Sequence, residues 1–363
     1  MKEPIVVISG GGTGGHIYPG LAIAQSLVAL CPNLKVHFVG SPLGLETQIV
    51  PQYGFKLHLI RVGKLNYSGG ILGKLRTLVQ IPKALVESLF LLFELRPLFV
   101  LGVGGYASGP FVLMASLLGF KTAIWEPNAH PGLTNRWLSR FVGKSFVAFD
   151  EAGEYLKSRE IIPSGIPVRR TIKQSQVSSS QPHSKFRVLV FGGSQGSMAI
   201  NQAVSDLFST VSPNLSNVEL THQTGSHDYK NIKSKYEAGG SQATILEYLH
   251  DIEKYYDWAD LIICRAGAAT LAEIAACRKP AILIPLPSSA DDHQRINAEA
   301  LVKAGAAQMI LQKDLTPLLL EKHILELKSD PELGRQMSEK LIKFHRPQAA
   351  ELVSQAIIES TGL

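Results

Sequence analysis

The chain has 363 residues, 45% hydrophobic and 18% charged, a length that suits two α/β domains and a composition that excludes extended disorder. Its net charge of +6 is carried unevenly: 17 basic against 9 acidic residues up to position 170, then 19 against 21, so the first half suits a polyanion, an acidic substrate or an anionic membrane surface. Cys31, Cys264 and Cys277 form an odd set without a CxxC, which argues against a disulfide framework or a zinc site and suggests reduced, half-buried fillers.

In chain order, "MKEPIVVISGG" enters a strand within five residues and has no apolar signal-peptide core, so a cytoplasmic protein is expected. Strand-like runs then alternate with helical patterns: "PIVVIS", "KVHFVG", "FKLHLI", "LFVLGV", "TAIWE" and "KSFVAF" in the first half, "RVLVFGG", "VELTHQ", "ATILEY", "LIICRAG" and "AILIPL" in the second. Strand and helix repeated in this way predict an α/β protein with two doubly wound, Rossmann-like parallel sheets. Residues 164–185, rich in Ser, Gln and Pro, read as the linker.

Three glycine loops sit at strand-to-helix junctions: residues 10–15, "GVGGYASGP" from Gly102, and "GGSQGS" from Gly192. Each frees helix N-terminal N–H groups that suit an anion. Gly10, Gly12 and Gly15 satisfy GxGxxG, yet a dinucleotide site needs an acid at the end of the second strand. That strand ends in Gly40 and Ser41, and Glu46 comes only later, inside the next helix. NAD binding is therefore not expected. The second half offers another clamp in "CRAGAATLAEIAACRKPAILIPLP", where Glu273 would accept ribose hydroxyls; on these residues alone it equally suits a favourable charge near a helix N-terminus.

Taken together, "GGTGGHIYPGLAIA", "GVGGYASGP", "EPNAHPGLTNRWL", "SGIPVR", "FGGSQGS", "WADLIICRAGAATLAEIA" and "DDHQRINA" occur in an order that resembles the MurG family of bacterial peptidoglycan glycosyltransferases. The resemblance spans nearly the whole chain. It implies the GT-B architecture, two Rossmann-like domains facing across a cleft: an acceptor- and membrane-facing domain at 1–163, the linker at 164–185, a UDP-GlcNAc domain at 186–340, and a last helix at 341–363 returning to the first domain. It implies an inverting transfer of GlcNAc from UDP-GlcNAc to the MurNAc 4-hydroxyl of undecaprenyl-pyrophosphoryl-MurNAc-pentapeptide, lipid I, giving lipid II for the cell wall. A UDP-GlcNAc 2-epimerase-like enzyme of the same fold is the alternative.

Carried over by position, the resemblance implies that Ser194 and Arg169 meet the donor, that the Leu249 backbone contacts uracil and that Glu273 holds the ribose. Ala268, Ala269, Thr270, Leu271 and Ala272 would line the phosphate turn, and Gln294, with His293, the sugar hydroxyls. Thr13, Gly14 and Gly15 would approach the diphosphate, and Asn128 would face the cleft. Pro127 and His293 depart from the family pattern, and the proline removes one N–H and fixes φ at residue 127.

The chemistry needs a stabilised diphosphate and a base for the acceptor hydroxyl. No DxD is present, Asp257 and Asp260 being wrongly spaced and Asp291 and Asp292 adjacent, so neither metal nor cofactor is expected. His16 is the natural base, with orientation of its loop as the other reading, and Glu126 is the second candidate. Because the acceptor is a lipid, residues 64–96 are read as the membrane contact: Lys64, Lys74, Arg76 and Lys83 stand beside Leu65, Tyr67, Ile71, Leu72 and Leu75. "ALVESLFLLFEL" within it, interrupted by Glu87 and Glu94, is too short to span a bilayer and is expected to be a buried helix. The expected place is the cytoplasmic face of the cell membrane, with other cell-wall synthesis proteins as compatible partners and no nucleic acid.

Overall fold

The computed structural model describes residues 3–12, 14–62, 70–168, 184–193, 195–209, 213–289 and 292–363, without the side chains of 70–80. The chain divides into two compact units, Met1–Arg170 with Arg346–Leu363, and Thr171–His345.

In the first unit the elements run β1 (Ile5–Gly10), α1 (Gly14–Leu30), β2 (Lys35–Gly40), α2 (Glu46–Gln52), β3 (Lys56–Leu59), α3 (Gly70–Leu95), β4 (Phe99–Gly104), α4 (Ser108–Leu117), β5 (Lys121–Glu126), α5 (Leu133–Leu138), β6 (Lys144–Val147) and β7 (Glu160–Pro163). The strands form one seven-stranded parallel sheet in the order β3-β2-β1-β4-β5-β6-β7. β1 and β4 are the innermost switch pair and are buried on both faces, which explains why they read as continuous apolar runs instead of alternating ones. Val7, Val39, Val100, Ile124 and Val147 form one face of the core with Leu92 of α3, Phe111 of α4 and Leu138 of α5. α1 covers the other face so closely that a methyl on Gly20 would touch Ile8, Phe38 and Val103.

The second unit repeats the plan with β8 (Phe186–Phe191), α6 (Met198–Ser209), β9 (Val218–Gln223), α7 (Tyr229–Ala238), β10 (Thr244–Leu246), α8 (Ile252–Trp258), β11 (Leu261–Cys264), α9 (Ala268–Cys277), β12 (Ala281–Leu283), α10 (His293–Lys303), β13 (Gln308–Met309), α11 (Pro317–Ser329) and α12 (Pro331–Leu341). Its parallel sheet has the order β10-β9-β8-β11-β12-β13. Both sheets therefore reverse direction beside their first strand, at β1/β4 and β8/β11, and open sheets bind ligands beyond the strand ends at such a point. Thr316 and Asp330 cap α11 and α12 by accepting the N–H of Leu319 and Leu333. The chain then returns to the first unit as α13 (Ala349–Thr361), which packs on α1; Ser354 Oγ donates to the Ile23 carbonyl and Lys121 Nζ to that of Ser360.

Two expectations change. "ALVESLFLLFEL" is not a buried helix: it is the C-terminal half of α3, whose Ala84, Ser88 and Leu92 face inward at four-residue spacing while Val86, Phe90 and Phe93 are 51%, 70% and 56% exposed. Apolar residues lie all round this stretch, so content alone does not reveal that one side is solvent-facing. Cys264 and Cys277 are buried outright and only Cys31 is half-buried. Among the described residues no helix is long and apolar enough to cross a membrane.

Candidate functional site

At the switch point of the first unit the glycine loop after β1 and the loop after β4 interlock. The Gly11 N–H donates to the Gly104 carbonyl at 3.2 Å, and a Cβ on Gly105 would overlap the Gly11 carbonyl. His16, in the first turn of α1, lies beside Gly104, where any Cβ would overlap the imidazole edge at Cδ2 and Nε2. Gly104 also has φ of +97°, in the region that favours glycine. Gly14 and Gly15 open α1 beside His16 and are half-buried. Thr13 lies outside the described residues.

The loop after β5 is built around Glu126, which is 1% exposed. Its Oε1 accepts the N–H of Asn128 at 2.9 Å and the Asn128 side-chain amide at 3.0 Å; its Oε2 accepts from the Asn135 amide at 2.8 Å and the Gly132 N–H at 3.2 Å. Burial pushes this carboxyl up to about 7, although these four donors act in the opposite direction. The carboxylate is turned inward, into its own loop, and it fixes Asn128, which is half-buried. The loop hangs on the N–H groups of Asn128 and Gly132, so Pro127 removes no donor that it uses.

In the second unit the loop after β8 and the loop after β9 meet backbone to backbone. Gly196, with φ of +78°, sits where a Cβ would overlap the Thr224 carbonyl, and Gly225 packs against that of Gln195. A buried network holds the pair: Asn201 of α6 donates to the Thr224 carbonyl and to Asp228, both at 2.9 Å, and its Oδ1 meets His222 Nε2 at 3.1 Å. Because Asn201 spends its N–H groups there, its oxygen accepts, so His222 carries hydrogen on Nε2 and accepts from Tyr236 Oη at Nδ1, 2.9 Å away. Burial holds His222 neutral, pushing it down to about 3.

Arg265, directly after β11, ties the same strand ends together. Its guanidinium donates to Ser197 Oγ (2.6 Å), Gln312 Oε1 (2.7 Å) and the carbonyls of Ile284 and Pro285 (both 3.0 Å). Glu273 follows on α9, half-buried, and its Oε2 accepts from the buried Tyr256 hydroxyl at 2.9 Å. Gln294 Oε1 accepts the Leu286 N–H at 3.1 Å, fixing this side chain beside the β12–α10 loop, and His293 is the first residue of α10. Leu249 is buried in the loop after β10. Arg169 and Ser194 lie outside the described residues.

The expected phosphate turn is the start of α9. Leu271 donates its N–H to the Gly267 carbonyl at 3.0 Å, the first bond of α9, and both Leu271 and Ala272 are buried. The helix-start N–H groups without an intrahelical acceptor are those of Ala268, Ala269 and Thr270. Sequence reasoning missed Arg265 and Tyr256. A lone arginine directly after an apolar strand is a signal for the first; an aromatic 17 positions before Glu273 carries none for the second. Among the described residues no group of three or more His, Cys, Asp or Glu stands where it would hold a metal.

Comparison with known proteins gives the following matches. The glycosyltransferase family 28 N-terminal domain matches residues 6–147 and the family's C-terminal domain residues 187–353. The UDP-N-acetylglucosamine–N-acetylmuramyl-(pentapeptide) pyrophosphoryl-undecaprenol N-acetylglucosamine transferase of Bdellovibrio bacteriovorus is 49% identical over 354 residues, covering 98% of each chain. The crystal structure of Acinetobacter baumannii MurG superposes with a TM-score of 0.81 at 29% identity, over 98% of this chain and 99% of that one. A UDP-N-acetylglucosamine 2-epimerase structure superposes at 0.67 with 14% identity, over 99% and 97%, which is a likeness of fold alone.

Proposed function

Because this chain belongs to glycosyltransferase family 28, among the MurG-type N-acetylglucosamine transferases, we propose that its two Rossmann-like domains divide the reaction into a donor half and an acceptor half. The activity is transfer of GlcNAc from UDP-GlcNAc to lipid I, forming lipid II. The observation that carries the division is the pair of switch points: a half-buried carboxylate, Glu273, braced by Tyr256 at one, and an imidazole, His16, seated on Gly104 at the other.

In this reading the second domain holds UDP-GlcNAc. Glu273 accepts the ribose hydroxyls, the Leu249 backbone meets uracil, and Gln294, with His293, meets the sugar hydroxyls. The diphosphate is met by Ser194, Arg169 and the first N–H groups of α9, which stabilise the leaving charge without a metal. In the first domain His16 removes the proton of the acceptor's MurNAc 4-hydroxyl as that oxygen attacks the anomeric carbon and the bond to UDP breaks, inverting the configuration. Glu126 acts by holding Asn128 toward the acceptor. Gly14 and Gly15, with Thr13, let the acceptor pyrophosphate approach the start of α1. The exposed face of α3, with Lys83, Val86, Phe90 and Phe93, suits peripheral attachment to an anionic membrane on the cytoplasmic side.

The test is purified protein with labelled UDP-GlcNAc and a lipid I analogue, in EDTA. A β-linked disaccharide product is expected. Conversion of UDP-GlcNAc without acceptor would instead favour the epimerase reading, and loss of turnover in chelator, restored by Mg²⁺, would overturn metal-independent departure.

A further inference from the structure

Glu46, set aside on sequence because it comes too late to be a ribose clamp, folds back onto the first glycine loop. From the first turn of α2 its Oε2 accepts the Gly12 N–H at 2.7 Å, and its Oε1 accepts the N–H of Ser41 at 2.8 Å and the Ser41 hydroxyl at 3.0 Å. The residue is 1% exposed. Gly11, Gly40 and Gly44 crowd the carboxylate so tightly that a Cβ on any of them would overlap it. A buried carboxylate is tolerated only when its oxygens are met by donors, and here the donors come from the loop itself and from the end of β2, the place where a dinucleotide fold puts its own acid.

We infer that Glu46 is a positioning residue that serves as the built-in anion of the first glycine loop. It takes the Gly12 N–H that a bound phosphate would otherwise use. With the loop clamped, Gly11 is fixed against Gly104 and His16 is held on the same surface. The link to turnover rests on the proposed role of His16; the link to anion binding does not.

The experiment uses full-length Glu46→Ala and Glu46→Gln beside wild type, with sodium formate as the probe and sodium chloride at equal ionic strength as the control. In Glu46→Ala, formate is expected to raise the Tm saturably and to restore part of the activity, whereas wild type responds alike to both salts. Loss of loop alignment should lower kcat of this variant by roughly 10- to 100-fold, with the UDP dissociation constant from calorimetry unchanged. A folded Glu46→Ala that treats formate like chloride, that keeps wild-type kcat, or that loses UDP affinity along with kcat overturns the inference. Where Glu46→Ala does not fold, Glu46→Gln decides, since it keeps the shape with one acceptor oxygen in place of two: reduced kcat with unchanged UDP affinity supports the inference, and unchanged kcat overturns it. Should wild type fail to glycosylate the lipid I analogue, the proposed function falls, while the formate response of Glu46→Ala still reports the internal anion.

Discussion

The two switch points share a strand order and a glycine loop, yet they spend their carboxylates in opposite ways. In the first domain Glu46 and Glu126 are both buried and turned inward, each tying a loop by its own N–H groups. The second domain braces its loops with a guanidinium, Arg265, and with the neutral Asn201–His222–Tyr236 network, leaving the Glu273 carboxylate half-buried on α9. The same topology thus gives one end whose two carboxylates are bonded into their own loops and another whose carboxylate is half-buried on a helix and braced by a tyrosine. In the proposed division the orientation of the carboxylates, which the glycine pattern does not show, separates the nucleotide end from the other.

The sharpest way to break this contrast is to attack the imidazole. His16→Ala should lower kcat by about 10² or more while leaving UDP affinity nearly intact. Gly104→Ala, whose methyl would enter the space of the His16 ring, should give the same phenotype. A collapse of UDP affinity in either folded variant would make the first loop a nucleotide site and end the division.

The mirror experiment is Glu273→Ala, which should weaken UDP binding by about 1.5–3 kcal/mol through loss of charge-assisted bonds to ribose, read by calorimetry, with a smaller effect on kcat at saturating donor. An unchanged KM for UDP-GlcNAc would remove Glu273 from the donor site.

The inward carboxylate of Glu126 makes a prediction on stability. Its folded-state value of about 7 lies above the ordinary 4.5, so the folded protein binds the proton more tightly than the unfolded chain. That contribution is fully present below about 4.5 and is lost as pH rises to about 7, by about 1–3 kcal/mol. Urea midpoints measured from pH 4.5 to 7.5 should fall accordingly, and Glu126→Gln should flatten that slope. An equal slope in wild type and variant would show that the four donors outweigh burial.

The smallest effect sharpens the comparison most finely. Tyr256→Phe removes only the hydroxyl that steadies Glu273, and should raise KM for UDP-GlcNAc by about 0.5–1.5 kcal/mol with kcat unmoved. A fall in kcat alone would place Tyr256 outside the donor half.

Much of this was legible in the chain, and the failures have physical causes. The central strands announced themselves because burial on both faces demands unbroken apolar runs. β7 and β13 did not: they are edge strands, four and two residues long, half-exposed and paired on one side only. The glycine loops were visible, but the orientation of acids was not. Glu46 lies 34 residues from the N–H that it accepts, a fold-back that no local pattern encodes, and the sequence leaves Glu126 open between base and supporting group, without showing that four donors of its own loop meet its oxygens. Leu271 and Ala272 came from motif resemblance, while helix geometry places the unbonded N–H groups at Ala268, Ala269 and Thr270 in the first turn.

The return of α13 onto α1 has a consequence for biosynthesis. The ribosome makes Thr171–His345, which is one contiguous stretch, before it makes the helix that receives α1. The first domain therefore waits with the α13-facing side of α1 uncovered, and the Ile23 carbonyl gains Ser354 only when the last turns emerge. The unit begun first is the one completed last, and a chain halted near residue 345 would release a finished second unit joined to an unclosed first.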